Sequence, residues 1–74
     1  MNNENATTTL LRKKADTFCL LGIIVHITYK DSDRWKNGLI EEVKEDYLIL
    51  EERVDGRLLV FFEEIKEIVE YKNE

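Results

Sequence analysis

The sequence predicts a mostly β domain: one N-terminal α-helix, then five short strands in a strongly bent antiparallel barrel. Three observations carry this. Trp35 to Glu52 reads as two strands joined by the short charged turn Lys44-Glu45-Asp46. Asp55-Gly56 is the strongest short hairpin signal a chain can carry. The remaining apolar segments are short, β-branched or aromatic, and separated by tight polar turns. A long strand that opens with a glycine and has a charged middle bends: Gly38 lets a neighbouring backbone come close, and a bulge would re-aim Glu41 and Glu42.

Taken in order, Met1 to Thr8 is polar and without periodicity and reads as a disordered tail. Thr9 closes that tail as the N-cap of a helix from Leu10 to Leu21, which sets a tail at 1–9 and a single domain at 10–71. Leu11, Ala15, Phe18 and Gly22 fall on one helical stripe. Gly22 stands where a helix ends in the left-handed conformation. So short a helix does not persist alone and must dock on the sheet, where it can plug one barrel end. Ile23 to Tyr29 is strand one, with Val25, Ile27 and Tyr29 on one face and Ile24, His26 and Thr28 on the other. Lys30 to Arg34 is a polar turn. Trp35 to Val43 is strand two and Tyr47 to Glu52 strand three. Leu58 to Phe62 is strand four, Glu63-Glu64 a tight 3₁₀ turn, and Ile65 to Tyr71 strand five. The bent sheet is expected to close, or nearly close, on itself, which removes most of the exposed edge, but strands four and five need partners.

Seventy-four residues make one small domain, which is marginal alone or gains stability from self-association. A charged fraction of 36% fits a soluble surface. No run is long enough to span a bilayer, so no membrane partner is expected. One cysteine excludes an internal disulfide, which fits a cytoplasmic location. The net charge of −5 argues against broad, charge-driven binding to nucleic acid or anionic membrane. The charge is uneven: Arg12-Lys13-Lys14 is basic, Glu63 to Glu74 acidic.

The order of these elements resembles the Sm-like (Lsm) small β-barrel family, within the wider SH3-like barrels, over Leu10 to Tyr71. Gly38-Leu39-Ile40 is similar to the glycine and following apolar positions of that family's first motif, and Tyr47-Leu48-Ile49-Leu50-Glu51 to its closing strand. Phe61-Phe62-Glu63-Glu64-Ile65-Lys66-Glu67-Ile68 resembles the second motif's short turn into the last strand. The resemblance implies a non-catalytic barrel in an RNA-linked assembly, paired between subunits along the edges of strands four and five. The chain departs from the family's uridine pocket. The turn between strands two and three is Lys44-Glu45-Asp46-Tyr47, one residue tighter than Asp-x-x-x-Asn and without asparagine. Phe62, Glu63 and Glu64 stand where an Arg-Gly pair would be. The bacterial Tyr-Lys-His signature is missing, and an acidic pair repels phosphate.

No triad, metal-ligand spacing or phosphate loop is present, so neither an enzyme, a metal site nor a cofactor is expected. His26 has no second histidine beside it and reads as a strand residue on the barrel surface. Cys19 reads as a small buried hydrophobe. Glu41-Glu42, Glu51-Glu52 and Glu63-Glu64 read as solvated surface. Arg12, Lys13, Lys14, Arg34, Trp35 and Lys36 are the candidates for RNA or partner contact. Trp35, at a strand start between two cations, either stacks on a base or covers a barrel end. Phe61 and Phe62 are consecutive and point to opposite faces, so one fills the core and the other marks an interface. With Val60 and Ile68 they form the expected oligomer edge. Two functions follow: an RNA-associated, self-assembling barrel that binds RNA weakly, or a protein-interaction or structural oligomerisation module with no nucleic-acid role.

Overall fold

The computed structural model describes residues 5–72. Helix α1 spans Asn5–Leu21, followed by β1 (Ile24–Tyr29), β2 (Trp35–Val43), β3 (Tyr47–Glu52), β4 (Gly56–Phe61), a 3₁₀ turn (Phe62–Glu64) and β5 (Ile65–Glu70). All pairings are antiparallel, in the order β4-β3-β2-β1-β5. The sheet is strongly bent and not closed, because β4 and β5 are its two edges and pair only with β3 and β1.

The bend is built into β2. Its first half pairs with β1 from Trp35 to Leu39, and its second half with β3 from Gly38 to Val43. Only Gly38 and Leu39 belong to both ladders. A Cβ on Gly38 would lie 2.5 Å from the Glu51 carbonyl oxygen and 3.0 Å from Leu50 Cγ, so any side chain there would force the strands apart. The expected bulge follows: Ile40 pairs with Leu50 and Glu42 with Ile49, leaving Glu41 as the extra residue. A second irregularity, between Thr28 and Tyr29 opposite Ile65 to Glu67, turns the other end of the sheet.

The concave face holds the core. Val25, Ile27, Ile40, Leu48, Leu50, Val60, Phe62, Ile65 and Ile68 are buried there, and α1 adds Leu11 and Ala15. No polar side chain is buried among the described residues. The helix lies against β2, β5 and the 3₁₀ turn. It ends in a Schellman motif: Gly22 (φ 68°) donates its N–H to Cys19 O at 3.2 Å, and Ile23 donates to Phe18 O at 3.1 Å. The β3–β4 loop runs from Arg53 to Asp55, with Gly56 at φ 76°. Glu52 Oε1 closes it, accepting from the N–H groups of Val54 (3.0 Å) and Asp55 (2.6 Å).

Three expectations need correction. The helix begins at Asn5, not Leu10, so Thr9 is helical rather than a cap, and residues 5–9 are not a disordered tail. Thr8 precedes Leu11 and Ala15 on the docked stripe and is half-buried. Tertiary packing therefore supports a turn that composition does not favour. The part of the expected tail at 1–4 lies outside the described residues. Second, β4 begins at Gly56 rather than Leu58, because Arg57 and Gly56 continue the ladder opposite Glu51 and Glu52. The 3₁₀ turn takes Phe62 from its other end. Third, the barrel does not close within one chain.

Candidate nucleic-acid interface

The register of β1 on β2 sets Thr28 opposite Trp35, His26 opposite Asn37 and Ile24 opposite Leu39. Alternation turns these side chains away from the core that Val25 and Ile27 enter. They form one outward patch. The Trp35 side of it is open, with the residue 56% exposed. The His26 and Trp35 rings lie 5.6 Å apart between centroids, tilted by 36°. His26 Nδ1 hydrogen-bonds Asn37 Oδ1. A carbonyl oxygen only accepts, so Nδ1 is the donor of this bond. A groove of about 380 Å³ continues the patch, lined by Ile24, Trp35, Asn37, Arg53, Val54 and Tyr71 among others. Its apolar walls and few polar groups suit a flat, partly polar ring.

The cations flanking Trp35 are otherwise engaged. Arg34 stacks over Tyr29, with Cζ 4.8 Å from the ring centroid, and its backbone N–H donates to Ser32 Oγ at 3.1 Å. Burial pushes the Tyr29 hydroxyl above its usual range, opposed by the charges of Arg34 and Lys36. Lys36 pairs with Asp55 at 3.1 Å, tying the β3–β4 loop to the start of β2. Arg53, from that loop, is the cation that reaches the groove.

The helical cluster lies elsewhere. Arg12 Nη1 donates to Glu45 O at 3.0 Å, so it is pinned to the turn after β2, whereas Trp35 opens that nine-residue strand. Lys13 and Lys14 are exposed on α1. The six candidate contact residues are thus two separate groups.

At the edges, Phe62 is 1% exposed and Phe61 39%, which divides the consecutive pair between core and surface. Phe62 N–H donates to Asp46 O at 3.0 Å. Antiparallel ladders alternate, so the backbones of Leu59 and Phe61 face the open side of β4, and those of Val60 and Phe62 face β3. Likewise Tyr71 N–H donates to Ile24 O at 2.9 Å, which turns the backbones of Ile68 and Glu70 to the open side of β5. The side chains of Val60, Phe62 and Ile68 are all buried. Of the four expected edge residues, Phe61 offers both side chain and backbone, and Ile68 offers backbone. The Phe61 ring lies 5.3 Å from that of Tyr47, and Leu59 is exposed beside it.

On the same outward face, Arg57 bonds Glu41 Oε1 at 2.9 Å. Glu41 shares a hydrogen bond with Glu51; this bond, then Arg57, holds the Glu41 carboxyl below its usual range, and the same bond lifts that of Glu51. Among the described residues no three His, Cys, Asp or Glu side chains converge as a metal site would require. No helix among them is long and apolar enough to cross a membrane.

Sequence reasoning singled out Trp35 but missed its companions His26, Asn37, Val54 and Tyr71. The signal was present in part. A five-residue turn between Tyr29 and Trp35 sets the β1–β2 register, and with it the His26–Asn37 pair.

No family model matches this chain, and no curated protein matches it. Among solved structures, it is similar to a 1.55 Å crystal structure of the pleiotropic translational regulator Hfq. The TM-score is 0.69 at 17% sequence identity, and the match covers 80% of this chain and 95% of that one. The shared feature is the fold: a helix followed by five antiparallel strands in a strongly bent, Sm-like sheet.

Proposed function

We propose that this chain is a non-catalytic, cytoplasmic Sm-like barrel that assembles with further copies of itself and associates weakly with single-stranded RNA. The observation that carries the RNA contact is Trp35, half-exposed on the outward face with the His26 ring beside it and a groove running from it. Base–aromatic stacking tolerates any sequence, because every base has a π-face. Asn37 gives the groove a polar edge, and its charged lining residues are Arg53 and Glu52, one of each sign. The likeness to a translational regulator supports the class of partner but identifies no binding residue. The net charge of −5 limits the phosphate term, so Kd is expected no tighter than roughly 10 μM near physiological salt. Assembly uses the free edges, β4 supplying Leu59 and Phe61 and β5 the backbone of Ile68 and Glu70.

Titrating the protein with short single-stranded RNA while following tryptophan fluorescence tests the contact. Saturating quenching of Trp35, and loss of binding in Trp35→Ala as read from the fluorescence anisotropy of labelled RNA while the circular dichroism spectrum is unchanged, are the expected results. Nanomolar, salt-resistant binding to uridine-rich RNA that survives Trp35→Ala would overturn the site. The apolar outward face of Tyr47, Leu59 and Phe61 favours a second reading, a structural oligomerisation module with no nucleic-acid role. A self-associating protein whose fluorescence ignores RNA would select it.

A further inference from the structure

Helix α1 docks through one face, which leaves the opposite one to be explained. At 100° per residue, Leu10, Lys13, Lys14, Thr17, Leu20 and Leu21 fall within about 120° of one another, opposite the docked Leu11 and Ala15. Leu10 is 67% exposed, Leu20 86% and Leu21 63%. Lys13, Lys14 and Thr17 are exposed between them. Neither this stripe nor its charges take part in the β4 and β5 edges or in the Trp35 groove.

We infer that the solvent-facing stripe of α1 is a docking surface for an acidic amphipathic helix of another protein. Leucines at both ends with lysines between them match an occupant that has an apolar stripe and carboxylates beside its middle. Leu10 and Leu21 are eleven residues apart, so the occupant runs over about 16 Å, or three helical turns. Charge complementarity selects this partner from the alternatives. RNA would use the lysines and leave three leucines against water. An anionic bilayer extends well beyond the stripe and would meet the acidic remainder of a chain whose net charge is −5, which a single helix laid along the two lysines does not. A second copy packed antiparallel, Leu10 on Leu21, would bring four lysines together in the middle turns. A groove-bound helix read through spaced apolar anchors is a familiar recognition mode, and here α1 supplies the anchors.

The test is a selection from a displayed library of 20-residue amphipathic helices with randomised flanking positions, against the full-length chain. Enriched helices are expected to carry Glu and Asp beside their apolar stripe and to shift the backbone amide resonances of α1. Reversing the charge with the double variant Lys13→Glu/Lys14→Glu should weaken them by at least about tenfold, equivalent to the loss of one strong charge contact. Leu20→Ser should weaken them too, and both variants should keep the wild-type circular dichroism spectrum because these side chains face water. Four outcomes would overturn the proposal: enrichment of basic or uncharged helices; resonance shifts confined to the sheet; α1-dependent binding of phosphatidylglycerol vesicles or single-stranded RNA; or a self-association that Leu20→Ser abolishes.

Discussion

The two edges of the sheet are alike inside and unlike outside. Inward, β4 sends Val60, with Phe62 just beyond its end, into the core, and β5 sends Ile65 and Ile68. Outward, β4 presents Leu59 and Phe61 beside Tyr47 and Ile49, whereas β5 presents Lys66, Glu67 and Glu70. Charged side chains along an edge discourage indiscriminate pairing, and apolar ones invite it. The difference teaches that the core draws on both edges, whereas the proposed association should depend on β4 more than on β5.

The largest expected effects test the inward half of the comparison. Phe62→Ala should cost about 3–5 kcal/mol and Ile68→Ala about 2–5 kcal/mol in urea unfolding, since both empty a close-packed core. A loss under about 1 kcal/mol for either would show that its edge contributes little to the fold. Next comes the outward half: the double variant Leu59→Ser/Phe61→Ser should raise the self-association constant Kd by tenfold or more in sedimentation. Its effect on monomer stability should stay near 1 kcal/mol, because exposed sites away from caps and networks have small effects. Lys66→Ala is the control on β5, expected within about 0.5 kcal/mol of wild type in stability, with a smaller change in association than the β4 variant. If Lys66→Ala weakens association more, the asymmetry is reversed.

The smallest effect is a pH dependence. Glu51 binds its proton more tightly in the folded chain, so ionising it disfavours folding once pH exceeds its unfolded pKa. Glu51→Gln removes that ionisation. It should raise Tm slightly at neutral pH, with the gain fading as pH falls through the carboxylate range. Glu41 has the opposite sign: its carboxyl is held low, so its contribution is present above the unfolded pKa and lost on acidification. Glu41→Gln should therefore lower Tm at neutral pH, and scanning calorimetry at several pH values separates the two.

Much of the fold was legible in the sequence, and the reason is local; the asymmetry between edges was not, since strands four and five both read as short and apolar. Gly22, Gly38 and Asp55-Gly56 each mark a backbone conformation or close approach that neighbouring residues alone announce. Phe61-Phe62 must split between faces because strands alternate. What the sequence did not yield depends on distant partners. The first turns of α1 are helical, with Thr8 and Thr9 half-buried, although their composition does not announce a helix. Arg12 looked like part of a basic patch, yet it is spent on the Glu45 carbonyl 33 residues away. Val54 and Tyr71 come to Trp35 from a loop and from the chain's far end, with no spacing to betray them. Open edges rather than closure also depend on how far the sheet twists, which no single segment specifies.

Because Gly38 and Leu39 lie opposite residues of both β1 and β3, β2 is a strap sewn through two half-sheets. Neither half can peel away while the other stays folded without breaking that seam. The chain should open all at once, and in deuterated water the central amides of β2 should be the last to trade their protons, at a rate set by global unfolding. Amides at the open sides of β4 and β5 should trade first. A sheet left open at both edges is then still a single cooperative body, and the proposed addition of another copy at an edge would not loosen it.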